Sequence, residues 1–469
     1  MMSKAITIYM VLCGLLLQGF GQIVPQDDAL SVSFEEQAAP YPLHYLYRGV
    51  SYDYLYDDTG NLLCDIGHHV ILKANNEAAL GTVNKIYIPT GDLIEVRDIK
   101  SRTISRDGRV VELDQSNIKE IADQETQGGY RIFAVEGAEV GGEVEYSYVM
   151  RTPASTFVWQ TAQYDAPTKT FDFQLTSPEH LLFDFHIANY EGEEWKTDTL
   201  GGVTRYRLSL SDVPGYVQEP FAAGEANKIR IEGKLSYNTY TGGRRLNTFS
   251  DAGKKIFRTA HTLSKVEEKE IAAFIKRHRR APLTPMEQLI HYEHEVKIRL
   301  YEEEYASDKV DDLLSNRFGQ GRAFLKLFVA ILEHLDIDYE IVTTCERDKA
   351  KFNPNFDNWK YLDDFLIYLP AEEKFLAPHH SAYRYGSIPP ELSAQKGLFV
   401  KKQLITDFEY PVSRIADIPA ASHEKNTSRQ EFVLSFSDDL SHHAIDIKFT
   451  YTGDEASNYK TALHWTTEQ

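Results

Sequence analysis

Residues 317–335 read RFGQGRAFLKLFVAILEHL, and this stretch decides how the middle of the chain folds. Its apolar residues recur at helical spacing on more than one face, which predicts a helix that is buried nearly all round. A Gly-Gln-Gly turn at 319–321 opens the helix, and Asp336 follows its last residue. A strand-like run at 339–342 comes next. The stretch therefore predicts a buried helix that leads into a sheet.

The sequence around this helix has an α+β pattern. A charged amphipathic helix is predicted over 265–280. Another begins at Thr284, because an N-cap Thr, a Pro in the first turn and a Glu three residues on together form a strong helix start. After the central helix, three strands are predicted between 339 and 376. Helices followed by antiparallel-looking strands predict an α+β domain over 256–405.

The earlier part of the chain, residues 22–235, is predicted to be an antiparallel β-sandwich. Val144, Tyr146 and Tyr148 alternate with polar residues, which is the period of a half-buried strand. Residues 168–175 alternate in the same way, and turn signals such as Asp-Thr-Gly-Asn separate the predicted strands.

Two further segments complete the predicted organisation. The polar passage 236–255 is predicted to be a linker between the two domains. Residues 406–469 return to strand patterns, so they are predicted to be a short C-terminal β segment, the start of a further β domain. Only a few strands fit in this length, and alone they would be marginally stable.

Composition excludes some classes of partner. The 469 residues carry a net charge of −20, and a nucleic-acid partner is not expected because phosphate contacts need a basic face. Residues 1–21 are predicted to be a secretory signal peptide, with Lys4 before an apolar run and small residues before Gln22. Its removal takes Cys13 and leaves Cys64 and Cys345. No later apolar run is long enough for a transmembrane segment.

A family resemblance is carried by two pieces of sequence: residues 130–146, with YRIFAV and GGEVEY, and residues 318–332. Over roughly 40–400 the chain resembles the bacterial transglutaminase-like superfamily, in particular exported members with an N-terminal β-sandwich domain of unknown function. The resemblance implies a central papain-like domain. It also implies an exported protein of the periplasm or cell envelope of a Gram-negative bacterium.

The catalytic positions of that family are degenerate here. Active relatives use a Cys thiolate to attack an amide, a His to hold the proton and an Asp to orient the imidazole. The resemblance places Gly321 at the Cys position, Asp364 at the His position and Ala377 at the Asp position. None of the three residues suits its role, so we expect a fold without its chemistry.

The alternative is a catalytic site that has moved to other residues of the domain. Cys345 is predicted at or just past a strand end rather than at a helix N-terminus, so its thiol is not expected to be activated. His379 and His380, with Asp363 and Asp364 nearby in sequence, suggest a metal site, but adjacent histidines on an extended chain point to opposite sides. No metal site and no cofactor are therefore expected, and the acidic run 302–304 is interpreted as a solvated face.

A binding groove is the remaining functional prediction. The aromatic residues around the vacated site favour core packing, which is their usual role. The alternative is a groove for a peptide or a glycan, formed by five residues: Arg322, Trp359, Tyr361, Asp364 and Tyr383.

Three hypotheses follow from the sequence. The first is a non-catalytic binding or scaffolding protein whose partner is an unknown protein, peptide or glycan. The second is a cysteine-dependent, amide-acting enzyme of transglutaminase or peptidase type with a relocated site. The third is a purely structural envelope component. Labelling of thiols at neutral pH separates the second from the others, because an activated thiolate reacts far faster than a buried thiol.

Overall fold

The computed structural model describes residue 38 and residues 41–459, apart from 92, 123–128, 193, 406–407, 421, 440 and 458. The described chain is strand-rich and divides into two compact units. The first comprises residues up to 218 with 228–232 and 237–243, and the second comprises 219–227, 233–236 and 244–469. The predicted signal peptide lies outside the described residues.

The first unit is almost entirely β. Its elements, in chain order, are β1 (Leu43–Tyr56), β2 (Leu62–Ala74), α1 (Glu77–Val83), β3 (Lys85–Pro89), β4 (Glu95–Ile104), β5 (Val110–Glu112), β6 (Lys119–Ala122), β7 (Gly129–Ala134), β8 (Glu143–Pro153), β9 (Phe157–Thr161), β10 (Thr168–Pro178), β11 (Leu181–Ala188), β12 (Lys196–Leu200) and β13 (Val203–Val213).

A large sheet and a small sheet share the core of this unit. The large sheet has the strand order β12-β13-β10-β1-β2-β8-β4-β5, and the small one has the order β3-β7-β6. Val70 and Val144 of the large sheet belong to the same apolar cluster as Ile88 and Phe133 of the small sheet. The prediction of a wholly antiparallel sheet is wrong at one place, since β1 pairs in parallel with β10. Parallel pairing needs a long connection, and more than a hundred residues separate these two strands.

Two predicted strands of this unit are confirmed. The alternating residues 143–148 lie in β8, where Val144 is buried while the Glu145 carboxylate on the other face lies 2.8 Å from Nε2 of His69. Residues 168–175 lie in β10, whose buried and half-buried residues alternate. The alternation of residue types in the sequence therefore matches the alternation of more and less buried side chains along these strands.

The second unit contains the helices and a further set of strands. Its elements are α2 (Gly224–Asn227), part of β14 (Arg230–Asn238), α3 (Phe249–His261), α4 (Lys265–His278), α5 (Pro285–Arg299), β15 (Tyr301–Glu302), α6 (Val310–Asn316), β16 (Phe318–Gly319), α7 (Gly321–Leu335), β17 (Glu340–Thr344), β18 (Asp364–Leu369), β19 (Lys374–Leu376), β20 (Gln395–Ile405), β21 (Phe408–Ile418), β22 (Thr427–Phe436) and β23 (His443–Thr452).

The central helix and the strands after it are confirmed. Helix α7 runs over 321–335, and ten of its fifteen residues are buried, so it is a core helix as predicted. Strands β19-β18-β17-β20-β21 form an antiparallel sheet in that order. Val342, Leu366 and Phe399 contribute to the apolar cluster of this sheet. Helix α5 begins after Thr284 with the predicted capping box.

The predicted linker over 236–255 is wrong. Helix α3 begins inside it at Phe249, because Thr248 and Asp251 form a capping box that satisfies the first N–H groups of the helix. The predicted C-terminal strands are present as the hairpin β22–β23, on which Phe432, Ile445 and Phe449 remain exposed. Within the described residues, no helix has the length and apolar character to cross a bilayer.

Candidate functional site

The start of helix α7 lies against two polar side chains. Strand β15 pairs in parallel with β16, which sets Glu302 opposite Gly319 and next to the first residue of the helix, Gly321. A Cβ atom at Gly321 would lie 2.9 Å from Oε1 of Glu302 and 3.3 Å from Nδ1 of His379. The space in front of the helix is therefore occupied by a carboxylate and an imidazole.

Asp364, His379 and His380, here called the Asp364 cluster, lie together beside this helix end. Asp364 is the first residue of β18, and both histidines follow β19, the neighbouring strand. Nε2 of His379 is 3.2 Å from Oδ1 of Asp364, and Nε2 of His380 is 3.2 Å from Oδ2. Nε2 of His379 is also 3.7 Å from Oε2 of Glu302. One carboxylate thus lies between two imidazole rings.

The expectation that adjacent histidines point to opposite sides is wrong here. The rings of His379 and His380 lie on one side of the chain, with centroids 4.1 Å apart and planes inclined by 37°. Side chains alternate only along an extended strand. Residues 378 and 379 instead form a bend, and the N–H of Tyr383 donates to the carbonyl of His380 3.1 Å away. The chain is therefore turning at this point.

In the Asp364 cluster, burial and hydrogen bonding shift the pKa values in opposite directions. Burial alone would raise the pKa of the Asp364 carboxyl, but the hydrogen bonds and charges of His379 and His380 hold it well below its usual range. Burial alone would lower the pKa of His380, but the hydrogen bond to Asp364 and the nearby charges of Glu391 and Glu302 raise it. The carboxylate and the protonated imidazole therefore stabilise each other.

A buried ion pair holds the loop that follows the histidines. Nζ of Lys297 is 2.9 Å from Oε1 of Glu293, and both side chains are almost completely buried. The Lys297 ammonium also donates to the carbonyl of Tyr383, and the N–H of Tyr385 donates to Oε2 of Glu293 3.0 Å away. Two side chains of α5 thus fix the backbone that leaves His380.

The structure brings together only part of the predicted groove. The ring of Tyr383 meets that of His380 edge-on at 6.4 Å, and burial raises the pKa of the Tyr383 hydroxyl to about 12. Tyr361 is instead 1% exposed and packs on Phe352, while Nε1–H of Trp359 donates to the carbonyl of Thr248.

Two other predicted positions do not supply polar groups to the cluster. Arg322 is exposed, and Ala377 is fully buried in the apolar cluster of the sheet. Trp359 and Tyr361 thus serve chain anchoring and packing, and Asp364 and Tyr383 are the predicted groove residues that lie at the cluster.

The cysteines among the described residues, Cys64 and Cys345, are both buried thiols. Cys345 follows β17, and its thiol lies 3.5 Å from the carbonyl oxygen of Ala350 and 4.0 Å from Oε1 of Gln395. Burial raises the pKa of the Cys64 thiol well above its usual value. These surroundings are those of structural thiols rather than of nucleophiles.

Sequence reasoning missed Glu302, which it assigned to a solvated acidic run. The two-residue pairing of β15 with β16 brings Glu302 to the helix end. So short a strand has no periodicity that a sequence could show, and the bend that turns His379 and His380 to one side is equally local.

An open cavity of about 750 Å³ lies elsewhere in the second unit. Its rim carries charges of both signs, including Arg347, Lys351 and Asp348, and the ring of Phe221 is fully exposed at its edge. Phe221 has φ +65°, a left-handed conformation that bulky residues rarely adopt. Backbone strain of this kind is typical of functional positions.

Comparisons with known proteins support a fold but not an activity. The model of a domain of unknown function with solved structure (DUF3857) matches residues 65–217. No curated protein matches the chain. The crystal structure of a "putative protease" from Parabacteroides distasonis is similar, with a TM-score of 0.57, 11% identity, and coverage of 91% of this chain and 97% of that one. At this identity the likeness shows the fold alone.

Two further structures are similar only over part of the chain. Yeast LTA4 hydrolase has a TM-score of 0.25 at 13% identity, over 46% of this chain and 32% of that one. An M1 zinc metallopeptidase from Deinococcus radiodurans has a TM-score of 0.23 at 8% identity, over 41% and 42% of the two chains. Scores this low carry no argument about this protein.

Proposed function

We propose that this chain is a non-catalytic transglutaminase-like protein that acts as a binding or scaffolding module in the cell envelope of a Gram-negative bacterium. The observation that carries the proposal is the start of α7. Gly321 stands where the nucleophile of an active relative would stand, and Glu302 and His379 fill the space in front of it. A thiol at this position would have to displace them.

The other two catalytic positions support the same conclusion. Asp364 offers a carboxylate in place of an imidazole, and both of its oxygens lie within hydrogen-bonding distance of histidines. Ala377 is enclosed by apolar side chains such as Leu366 and Phe375, so it has no group that could orient a base. The thiol of Cys345 lies against a carbonyl and an amide oxygen, which do not activate a thiol.

The proposed binding surface is the cavity bordered by Phe221. An exposed ring next to a rim with both signs of charge suits an extended polypeptide, which offers apolar side chains and charges of both signs. A polypeptide partner also agrees with the scaffolding role.

The absence of thiol chemistry is tested with the purified full-length protein. We expect neither isopeptide formation between a fluorescent amine and a glutamine-containing protein nor cleavage of a peptide substrate. Activity that disappears in Cys345→Ala would overturn the proposal in favour of a cysteine-dependent enzyme.

Binding is tested with a displayed library of random peptides. We expect enrichment of peptides by the wild-type protein and a loss of affinity of about tenfold or more in Phe221→Ala, because a buried aromatic contact contributes on the order of 2 kcal/mol at an interface. Phe432→Ala, on the exposed hairpin β22–β23, is the matched control and should bind as the wild type does. If no peptide is enriched, the purely structural alternative is favoured; if Phe221→Ala binds equally well, the cavity bordered by Phe221 is not the binding surface.

A further inference from the structure

The Asp364 cluster contains the donor atoms of a metal site. One ligand atom from each of Asp364, His379 and His380 can be chosen so that all three lie within 4.8 Å of one another. Glu302 adds a second carboxylate, with Oε2 3.7 Å from Nε2 of His379. Imidazole and carboxylate donors together suit first-row transition metals, zinc among them, better than magnesium or calcium.

The spacing of these atoms fits a tetrahedral ion. Zinc binds nitrogen and oxygen at about 2.0–2.2 Å, which sets tetrahedral ligand atoms about 3.3–3.6 Å apart. Oδ1 of Asp364 lies 3.2 Å from Nε2 of His379 and 3.3 Å from Nε2 of His380, and Oε2 of Glu302 lies 3.7 Å from Nε2 of His379. Small movements would bring the first three residues to the ion, and Glu302, which lies outside that group of three, would have to turn further towards it.

The surroundings are those of a built site rather than of a surface cluster. His379 is 8% exposed, and its Nδ1 has no hydrogen-bond partner among the residues that the structure describes. Nδ1 of His380 lies 3.9 Å from a carboxylate oxygen of Glu391, which is the kind of group that orients metal-bound imidazoles. The Glu302 side chain is 41% exposed, so an ion can enter from its side.

Gly321 provides space for two of the proposed ligands. Its missing Cβ leaves the room in which the ends of Glu302 and His379 approach each other. Three carboxylates, those of Asp364, Glu302 and Glu391, lie around two imidazoles, and a divalent cation would neutralise the excess negative charge.

We infer that Asp364, His379, His380 and Glu302 bind one divalent transition-metal ion of the zinc class, where thiol-dependent relatives hold their nucleophile. Four protein ligands close the coordination sphere, as in structural zinc sites. The ion would join β15, β18 and the loop after β19. This inference does not depend on the proposed binding of polypeptides, and its test is separate.

The experiment uses the full-length protein after treatment with a chelator. Zn²⁺ binding is measured by titration calorimetry, and Co²⁺ is used as a spectroscopic probe, since tetrahedral Co²⁺ gives intense visible bands. We expect one ion per chain, and a loss of affinity of a hundredfold or more in Asp364→Asn and in His380→Gln. Glu302→Gln should lose affinity and the tetrahedral spectrum while the fold is unchanged by circular dichroism.

The matched control is an exposed pair of adjacent histidines in the second unit, at the hairpin β22–β23. His442→Gln/His443→Gln should retain the affinity and the spectrum of the wild type. The inference is overturned if the wild type binds Co²⁺ no more tightly than Asp364→Asn, or if binding is lost only in the hairpin variant. In that case the cluster is a hydrogen-bonded group in which Asp364 accepts from two imidazoles.

Discussion

Nε2 of His380 lies 3.2 Å from Oδ2 of Asp364, beside the start of helix α7. The same carboxylate meets Nε2 of His379 through its other oxygen. Asp364 is thus held between two imidazoles that follow the neighbouring strand β19.

The His380–Asp364 contact predicts a pH-dependent stability. Because the folded-state pKa of His380 is raised, the contact stabilises the fold fully below the unfolded-state pKa of about 6.5, and the effect is lost as pH rises through the folded-state value. Asp364 remains ionised throughout, since its pKa is lowered. In metal-free protein, His380→Gln should therefore lower the free energy of unfolding more at about pH 5.5 than at about pH 9.

Urea unfolding at both pH values checks this prediction. His442→Gln, in an exposed position, is the control and should change stability equally little at both. An identical loss for His380→Gln at the two pH values would show that the imidazole contributes by packing alone.

Local patterns accounted for most of the second unit before the structure was known. Strands predicted at 365–369 and 374–376 are β18 and β19, and the capping pattern at Thr284 begins α5. These elements depend on spacing within a few residues, which the sequence shows directly. The parallel pairing of β1 with β10 depends on strands far apart in the chain, and no local pattern encodes it.

The position of the candidate site could be predicted from the sequence, but the arrangement of its side chains could not. The place of Gly321 at a helix start followed from its glycine turn, and the degenerate positions followed from the family resemblance. The approach of Glu302 depends on the two-residue strand β15, and the common direction of His379 and His380 depends on a bend. Both are tertiary features that single residues do not signal.

Glu293 and Lys297 form a buried ion pair. Removal of one charge should therefore destabilise the protein more than removal of both. Lys297→Met leaves the Glu293 carboxylate buried without its cation and should cost about 3–5 kcal/mol in the free energy of unfolding. Burial lowers the pKa of Lys297 in spite of the attraction of Glu293, so its charge is already costly. Glu293→Gln/Lys297→Met removes both charges and should cost less than Lys297→Met.

The control for this pair is an exposed one at similar distance. Lys349 lies 2.9 Å from Glu346, and Lys349→Met should change stability by about 1 kcal/mol or less. Equal losses for the single and the double variant at 293 and 297 would contradict the buried-charge explanation.

The buried thiols predict slow alkylation. Cys345 is 2% exposed, and so is Cys64. Iodoacetamide at neutral pH should label neither within the time in which it labels both in urea, because a buried thiol must wait for the chain to open. Mass spectrometry of Cys64→Ala and Cys345→Ala assigns the labelled residue. Rapid labelling of Cys345 in the native protein would support the relocated enzyme site instead.

Helix α3 approaches strand β21 closely at Gly253. We therefore expect Gly253→Ala to destabilise the protein, although Ala is the better helix former. Ala is preferred to Gly inside a helix by about 1 kcal/mol. At Gly253, however, an added Cβ would overlap Oγ of Ser413 and lie 3.4 Å from Cγ2 of Val400. Gly253→Ala should therefore destabilise the protein, by about 1–3 kcal/mol, since overpacking outweighs propensity. Ser413→Ala, added to Gly253→Ala, should restore most of the lost stability.

The control is Gly81→Ala in α1, where nothing lies within 4 Å of the new Cβ, and this substitution should be stabilising. Urea unfolding of these three variants measures both effects, and a stabilising Gly253→Ala would show that the helix can move off the sheet without cost.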